Sequence, residues 1–219
     1  MHYTIHTEEY KGYTIKIVPD NDPMNPRKEF DHIGKMVCFH RRYNLGDEQP
    51  KVSFEDYLVR MAEDYEEIPA NEDYKEEVNI ALKVINKHFI ILPLYLYDHS
   101  GITISTSKFS CQFDSGMVGF IYMSNEDAKK NWPGDTWKES AIKCLESEVT
   151  EYDNYLTGNV AGWIVEDSEG VEIQSVYGFY PDSDYKKQWN YVIDIAKDVI
   201  DSYIEETFKI ETDTVACLI

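Results

Sequence analysis

"YDHSGITISTSKFSCQFDSGMVGF", residues 97–120, is the stretch whose reading decides how this chain folds. Asp98-His99-Ser100-Gly101 and Asp114-Ser115-Gly116 read as turns, because Asp and Ser side chains bond the local backbone and Gly reaches positive φ. Between them "ITISTSKFSCQF" alternates in polarity, the period of a strand. "FIILPLYLY" (89–97) runs into the stretch and "VGFIYMS" (118–124) runs out of it. The expectation is therefore an antiparallel meander. A straight strand over residues 102–109 would be roughly 26 Å long at about 3.3 Å per residue.

The same residues support a second reading, as a catalytic group made of His99, Cys111 and Asp114. A base must come within about 3 Å of the nucleophile it activates. A straight strand would hold His99 and Cys111 at opposite ends of the meander, so the catalytic reading requires a bent connection. The turn reading is preferred. Ser100 and Ser115 have no assignable neighbouring base.

Upstream, "YTIKIV" (13–18) and "KMVCFH" (35–40) read as strands, joined by a Pro-rich loop. Ser53 is placed to cap a helix over "FEDYLVRMAEDYEE", whose Phe54, Tyr57, Leu58, Met61 and Tyr65 recur at helical spacing. A second helix is expected from Asn71 to His88. Downstream, a long helix is expected from about Asp135 or Thr136 to Leu156, with Trp137, Ala141, Leu145, Val149, Tyr152 and Leu156 inward and Gly158 as its stop. "AGWIVED-SEG-VEIQSVYGFY" reads as a hairpin turning at Gly170, and a last helix covers about 184–207. Strands in groups, without βαβ alternation, give an α+β fold: an antiparallel sheet, meander plus hairpin, packed against amphipathic helices. We expect one domain over 1–219, with 1–88 as a possible lobe of two strands and two helices.

Hydrophobic residues make up 42% of the 219 and aromatics 14%, enough for a buried core. The longest apolar run is too short to span a bilayer, and the N-terminus has no basic start followed by an apolar core. Cys38, Cys111, Cys144 and Cys217 lie far apart with no CxxC pair, which argues against a thiolate zinc site and for reduced thiols in a cytoplasm. Cys38 and His40 share a strand face, but a buried thiol beside a satisfied histidine is the commoner arrangement. Asp20-x-Asp22 with Asn25 lacks the Gly and Glu of a calcium loop. No Gly-rich phosphate loop, HExxH or GxSxG is present. No cofactor is implied.

The net charge of −20 is the strongest compositional fact. It argues against binding nucleic acid or an anionic membrane directly and for a basic partner. The charge is uneven. Residues 46–80 carry twelve acids against three Lys or Arg, and residues 146–172 carry eight acids and no base. Two segments stand out as partner-binding candidates: Glu63, Asp64, Glu66 and Glu67, and Glu146, Glu148, Glu151 and Asp153. Like charges at helical spacing cost a few tenths of a kcal/mol per pair, which a cationic partner would relieve.

"LPLYLYDHSGITIS", "FDSGMVGFIY" and "EYDNYLTGNVAGWIVED...VYGFY" resemble segments of a family of uncharacterised acidic proteins carried by bacteriophages and mobile elements. The resemblance covers roughly residues 89–180, with Phe113 where that family has Trp and Met117 where Gln is common. It implies no catalytic residues. It implies a small accessory protein working in the cytoplasm of an infected bacterium. With the charge, it leads to the expectation of a protein that binds and inhibits a host nucleic-acid-handling defence complex, a basic protein or nucleoprotein, by imitating phosphates. The rival expectation is a small hydrolase acting on a nucleotide signal or modified base through His99, Cys111 and Asp114. Oligomeric state is open.

Overall fold

A computed structural model describes residues 3–71, 73–111, 113–181 and 189–216. In chain order the elements are β1 (His6–Tyr10), β2 (Tyr13–Pro19), α1 (Pro26–Glu29), β3 (Lys35–Cys38), α2 (Phe54–Glu63), α3 (Tyr74–His88) and β4 (Phe89–Asp98). They continue with β5 (Ile102–Ser105), β6 (Ser115–Ser124), α4 (Asn125–Asn131), α5 (Trp137–Thr157), β7 (Ala161–Glu166), β8 (Glu172–Phe179) and α6 (Asn190–Ala216). The fold is α+β, with antiparallel sheets packed against helices. No described helix is long and apolar enough to cross a membrane.

The chain gathers into two compact units, residues 25–157 and residues 1–24 with 158–219. Residues 1–88 do not form a lobe of their own, because β2 pairs with β7 from Thr14↔Glu166 to Pro19↔Ala161. That long-range ladder assigns the first two strands to a different unit from α2 and α3.

In the 25–157 unit the strand order is β3-β6-β4-β5, all antiparallel, with helices on both faces. Alternation along β6 sorts the two cores. Phe120 packs with Val37 of β3, Leu58 and Ala62 of α2 and Ala81 and Ile85 of α3, whereas Ile121 and Met123 pack with Met36, Leu145, Val149 and Tyr152. Burial on both faces is why "FIILPLYLY" reads as a nearly continuous apolar run. Pro93 is tolerated because β5 pairs only with Tyr95–Asp98, leaving Pro93 on a part of β4 with one strand neighbour. Ser53 caps α2, its hydroxyl accepting from Asp56 N–H at 3.0 Å.

In the other unit the order is β1-β2-β7-β8, and α6 covers one face. Ile15, Ile17, Trp163 and Val165 meet Val192, Ile193, Ala196 and Ile200. β1 turns into β2 through Lys11 and Gly12, both at positive φ (50° and 86°), the backbone of a tight right-twisted hairpin. Gly170 (φ 79°) turns β7 into β8, as the sequence led us to expect. The first residues of the expected last helix, 184–188, lie outside the described residues, as does Cys217.

Candidate functional site

The stretch 97–120 is bent. β5 stops at Ser105, residues 106–111 and 113–114 are irregular, and the Asp114 carbonyl accepts from Asp98 N–H at 2.8 Å. The straight strand over 102–109 is therefore absent, and His99, Cys111 and Asp114 do come together. Asp114 sits at the centre: its Oδ2 lies 3.4 Å from His99 Nδ1 and 3.7 Å from Cys111 Sγ. The order is thiol, carboxylate, imidazole. A nucleophilic thiol needs an imidazole or other cation beside it, and here the group beside Cys111 is a carboxylate. His99 and Asp114 are 63% and 42% exposed at the side chain, so water also reaches the cluster freely. The His99 ring stacks on Tyr97 and the Ser115 hydroxyl donates to the Cys111 carbonyl, both bonds that shape a turn.

The other sequence candidates for chemistry also have structural partners. Cys38 is fully buried, and burial pushes its thiol up to about 12. His40 lies past the end of β3, and its Nδ1 accepts from the N–H groups of Arg42 and Tyr43 at 3.3 and 3.1 Å. Asp20 accepts from Asp22 N–H, and Asn25 caps α1. Among the described residues no group of three or more His, Cys, Asp or Glu is placed to hold a metal ion.

The four candidate acids of α5 divide sharply. Glu148 is buried, 7% exposed, and ties α5 to the segment before β3. Its Oε2 accepts from Arg27 Nη1 at 2.9 Å, and its Oε1 accepts from Ile33 and Gly34 N–H at 3.1 and 3.0 Å. Arg27 in turn donates through Nε and Nη2 to both oxygens of Asp47 and through Nη2 to the Gly34 carbonyl at 2.6 Å. Burial alone would lower the Arg27 pKa; the hydrogen bonds to Asp47 and Glu148 outweigh it and hold it above its ordinary value. Asp153 accepts from Thr103 Oγ1 at 2.6 Å and from Ile104 N–H at 2.7 Å, pinning α5 to β5. Glu151 pairs with His32 Nε2 at 2.8 Å. Only Glu146 of this set is exposed. As a partner surface the α5 segment is thus corrected: Glu148 and Asp153 are internal fasteners, and Glu151 already has a partner.

The spacing carries a signal for this. Glu148 stands three residues after Leu145 and four before Tyr152, and Asp153 stands between Val149 and Leu156. Both acids therefore fall on the apolar stripe. Arg27 had no such signal, since its partners lie 20 and 121 residues away.

Most described acids of α2, α3 and their connection lie on the outside of the sheet's other helical layer. Glu55, Asp56, Glu63, Asp64, Glu66, Glu67, Asp73 and Glu76 are all exposed. Leu58, Met61, Ala62, Ala81, Val84 and Ile85 turn inward, so the amphipathic pattern forces the carboxylates outward. Glu66 pairs with Lys87 at 2.8 Å, and Asp56 accepts from the Tyr74 hydroxyl at 2.5 Å. Among the described residues no ion pair takes up Glu63, Asp64 or Glu67. Tyr65 (49% exposed) and Tyr74 (43%) stand among these acids, as aromatics do at contact surfaces.

Comparison with family models, with curated proteins and with solved structures returns no match to this chain.

Proposed function

We propose that this chain is an acidic binding protein whose α2–α3 layer docks on a cationic surface of a partner. The observation that carries the reading is the group of exposed carboxylates around Glu63, Asp64 and Glu67, placed outside the packed α2–α3 helices without internal counterions among the described residues. Neighbouring helical side chains lie about 5–6 Å apart, close to the spacing of phosphates along a strand. A groove that ordinarily holds nucleic acid is therefore the best-matched receptor. The resemblance to acidic phage and mobile-element proteins suggests the receptor's owner: a host nucleic-acid-handling defence complex in the cytoplasm of an infected cell. Inhibition would follow by occupancy.

The hydrolase reading has less support, because the cluster at Asp114 is open to water and sets a carboxylate rather than an imidazole beside the thiol. A pull-down from bacterial lysate with the tagged chain tests the binding reading. Retained protein should be released by added duplex DNA or RNA and by raised salt, and the Glu63→Lys/Asp64→Lys/Glu67→Lys variant should retain at least about tenfold less. Retention indifferent to nucleic acid, salt and the triple reversal would remove the reading.

A further inference from the structure

β8 is the end strand of its sheet; among the described residues it pairs with β7 alone. An exposed strand edge is a template for another strand, and proteins usually blunt it with Lys, Pro or a covering segment. Described residues take up the edges of β3 and β5, whereas β1 is tied to α6 through side chains alone. Asp47 and Glu48 N–H donate to the Met36 carbonyl and Cys38 N–H to the Glu48 carbonyl, so the β3 edge is taken. Asp153 takes the outward Ile104 N–H of β5. Beside β1, the gap to α6 is bridged by Lys197–Glu8 at 2.5 Å, Tyr10–Asp201 at 3.2 Å and Lys11–Asp201 at 2.8 Å.

Beyond two register shifts against β7, β8 has no such cover among the described residues. Its sequence, "EIQSVYGF", holds neither Lys nor Pro. On its flank α6 leaves a groove of about 320 Å³, with Gln174 on the strand side and Ile195, Val199 and Tyr203 on the helix side. Asp198 and Glu206 complete the lining, both exposed, with no Lys or Arg among the lining residues. An open edge beside a helix with an apolar floor is the geometry in which an extended peptide adds to a sheet: main-chain bonds hold it, and alternate side chains enter the groove.

We propose that β8 and this groove bind an extended, cationic segment of a partner protein, added to the sheet as a fifth strand. Its inward side chains are aliphatic at one position, meeting Ile195, Val199 and Tyr203, and Lys or Arg two residues on, meeting Asp198 and Glu206. An acidic segment would meet like charges. This site and the α2–α3 layer belong to different units of the chain, so either can fail alone.

The test uses the whole chain and a fluorescent octapeptide, Val-Thr-Lys-Thr-Val-Thr-Lys-Thr (the Lys-Val peptide, with Glu for Lys in its Glu-Val counterpart), which sets Val and Lys on one strand face and is read by anisotropy. Two controls are the Glu-Val octapeptide and a Lys-Val octapeptide carrying two internal prolines, which remove ladder donors without touching the protein. Saturable binding of the Lys-Val peptide is expected, with slowed amide exchange at residues 174–177. The proline peptide and the Asp198→Lys/Glu206→Lys chain should each lose about tenfold or more in affinity. The Glu63→Lys/Asp64→Lys/Glu67→Lys chain should lose less than about threefold. Absence of saturable binding up to about 1 mM overturns the proposal. So does equal affinity for the proline peptide, or exchange protection on α2 and α3 in place of β8.

Discussion

Replacing Glu148 by Ala should cost the 25–157 unit far more than replacing any other acid of α5. The side chain accepts hydrogen bonds from Arg27, Ile33 and Gly34, and the Arg27 side chain is only 1% exposed. Truncation leaves a buried guanidinium short of one of its two carboxylates and two backbone N–H groups without their acceptor. Breaking a buried pair of this kind costs about 3–5 kcal/mol. Glu148→Gln keeps the shape and an acceptor but loses the charge, so about 1.5–3 kcal/mol is expected. Glu146→Ala, on the exposed face, should fall within about 0.5 kcal/mol. Urea unfolding followed by circular dichroism reads the difference. With a slope of about 1.5 kcal/mol/M, the Glu148→Ala midpoint should drop by about 2–3 M. A Glu148→Ala loss no larger than that of Glu146→Ala would refute the fastener role and return Glu148 to the surface candidates.

Asp153 gives a pH signature. Burial raises its pKa above the usual carboxylate value, against the pull of the Thr103 and Ile104 hydrogen bonds. The folded chain therefore holds this proton more tightly than the unfolded one, and its contribution to stability grows as pH falls from neutral through the raised value. The stability of the wild type relative to Asp153→Asn should accordingly rise between pH 7 and pH 4; a flat or opposite difference in urea midpoint contradicts this. Cys38 and Cys144 are pushed by burial to about 12 and about 11, so iodoacetamide at pH 8 should label Cys111 well before either, as mass spectrometry of peptides would show. Equal labelling of Cys38 would mean that β3 opens readily. A Cβ at Gly119 would be driven into the Val37 carbonyl oxygen, so Gly119→Ala should destabilise by about 1–3 kcal/mol in the same urea assay, and a neutral result would place β3 farther from β6 than described. His99→Ala and Asp114→Asn should leave capture of the cationic partner within about twofold of wild type, and a larger loss would bring the 97–120 loop into the binding surface.

Helices were the legible part of this chain, and for a local reason. Ser53 with Phe54, Leu58 and Met61 announces α2 within about two turns, and Ala141, Leu145, Val149 and Tyr152 announce α5. The hairpin of β7 and β8 was equally local, marked by Gly170. What escaped depends on distant pairing. β1, "HTEEY", has no strand-like alternation of apolar residues and is held by β2. The partition of the chain follows from β2 meeting β7, a match no short window contains. At 102–109 the alternation continues past Ser105, but the backbone turns away and brings Asp114 back to His99. The acidic segments were visible by charge alone. Charge could not separate Glu148 and Asp153, which fasten α5, from Glu63, Asp64 and Glu67, which face water; position on the apolar stripe could.

The central claim is that the α2–α3 carboxylates meet a cationic surface that otherwise holds nucleic acid. Its most direct measurement is the affinity for the captured partner across a series of salt concentrations, with and without a competing duplex, for the wild type and the Glu63→Lys/Asp64→Lys/Glu67→Lys chain. An affinity that falls steeply with salt, competition by the duplex, and a shallower salt slope for the variant are expected. Equal slopes for the two chains, together with simultaneous binding of protein and duplex, would contradict it.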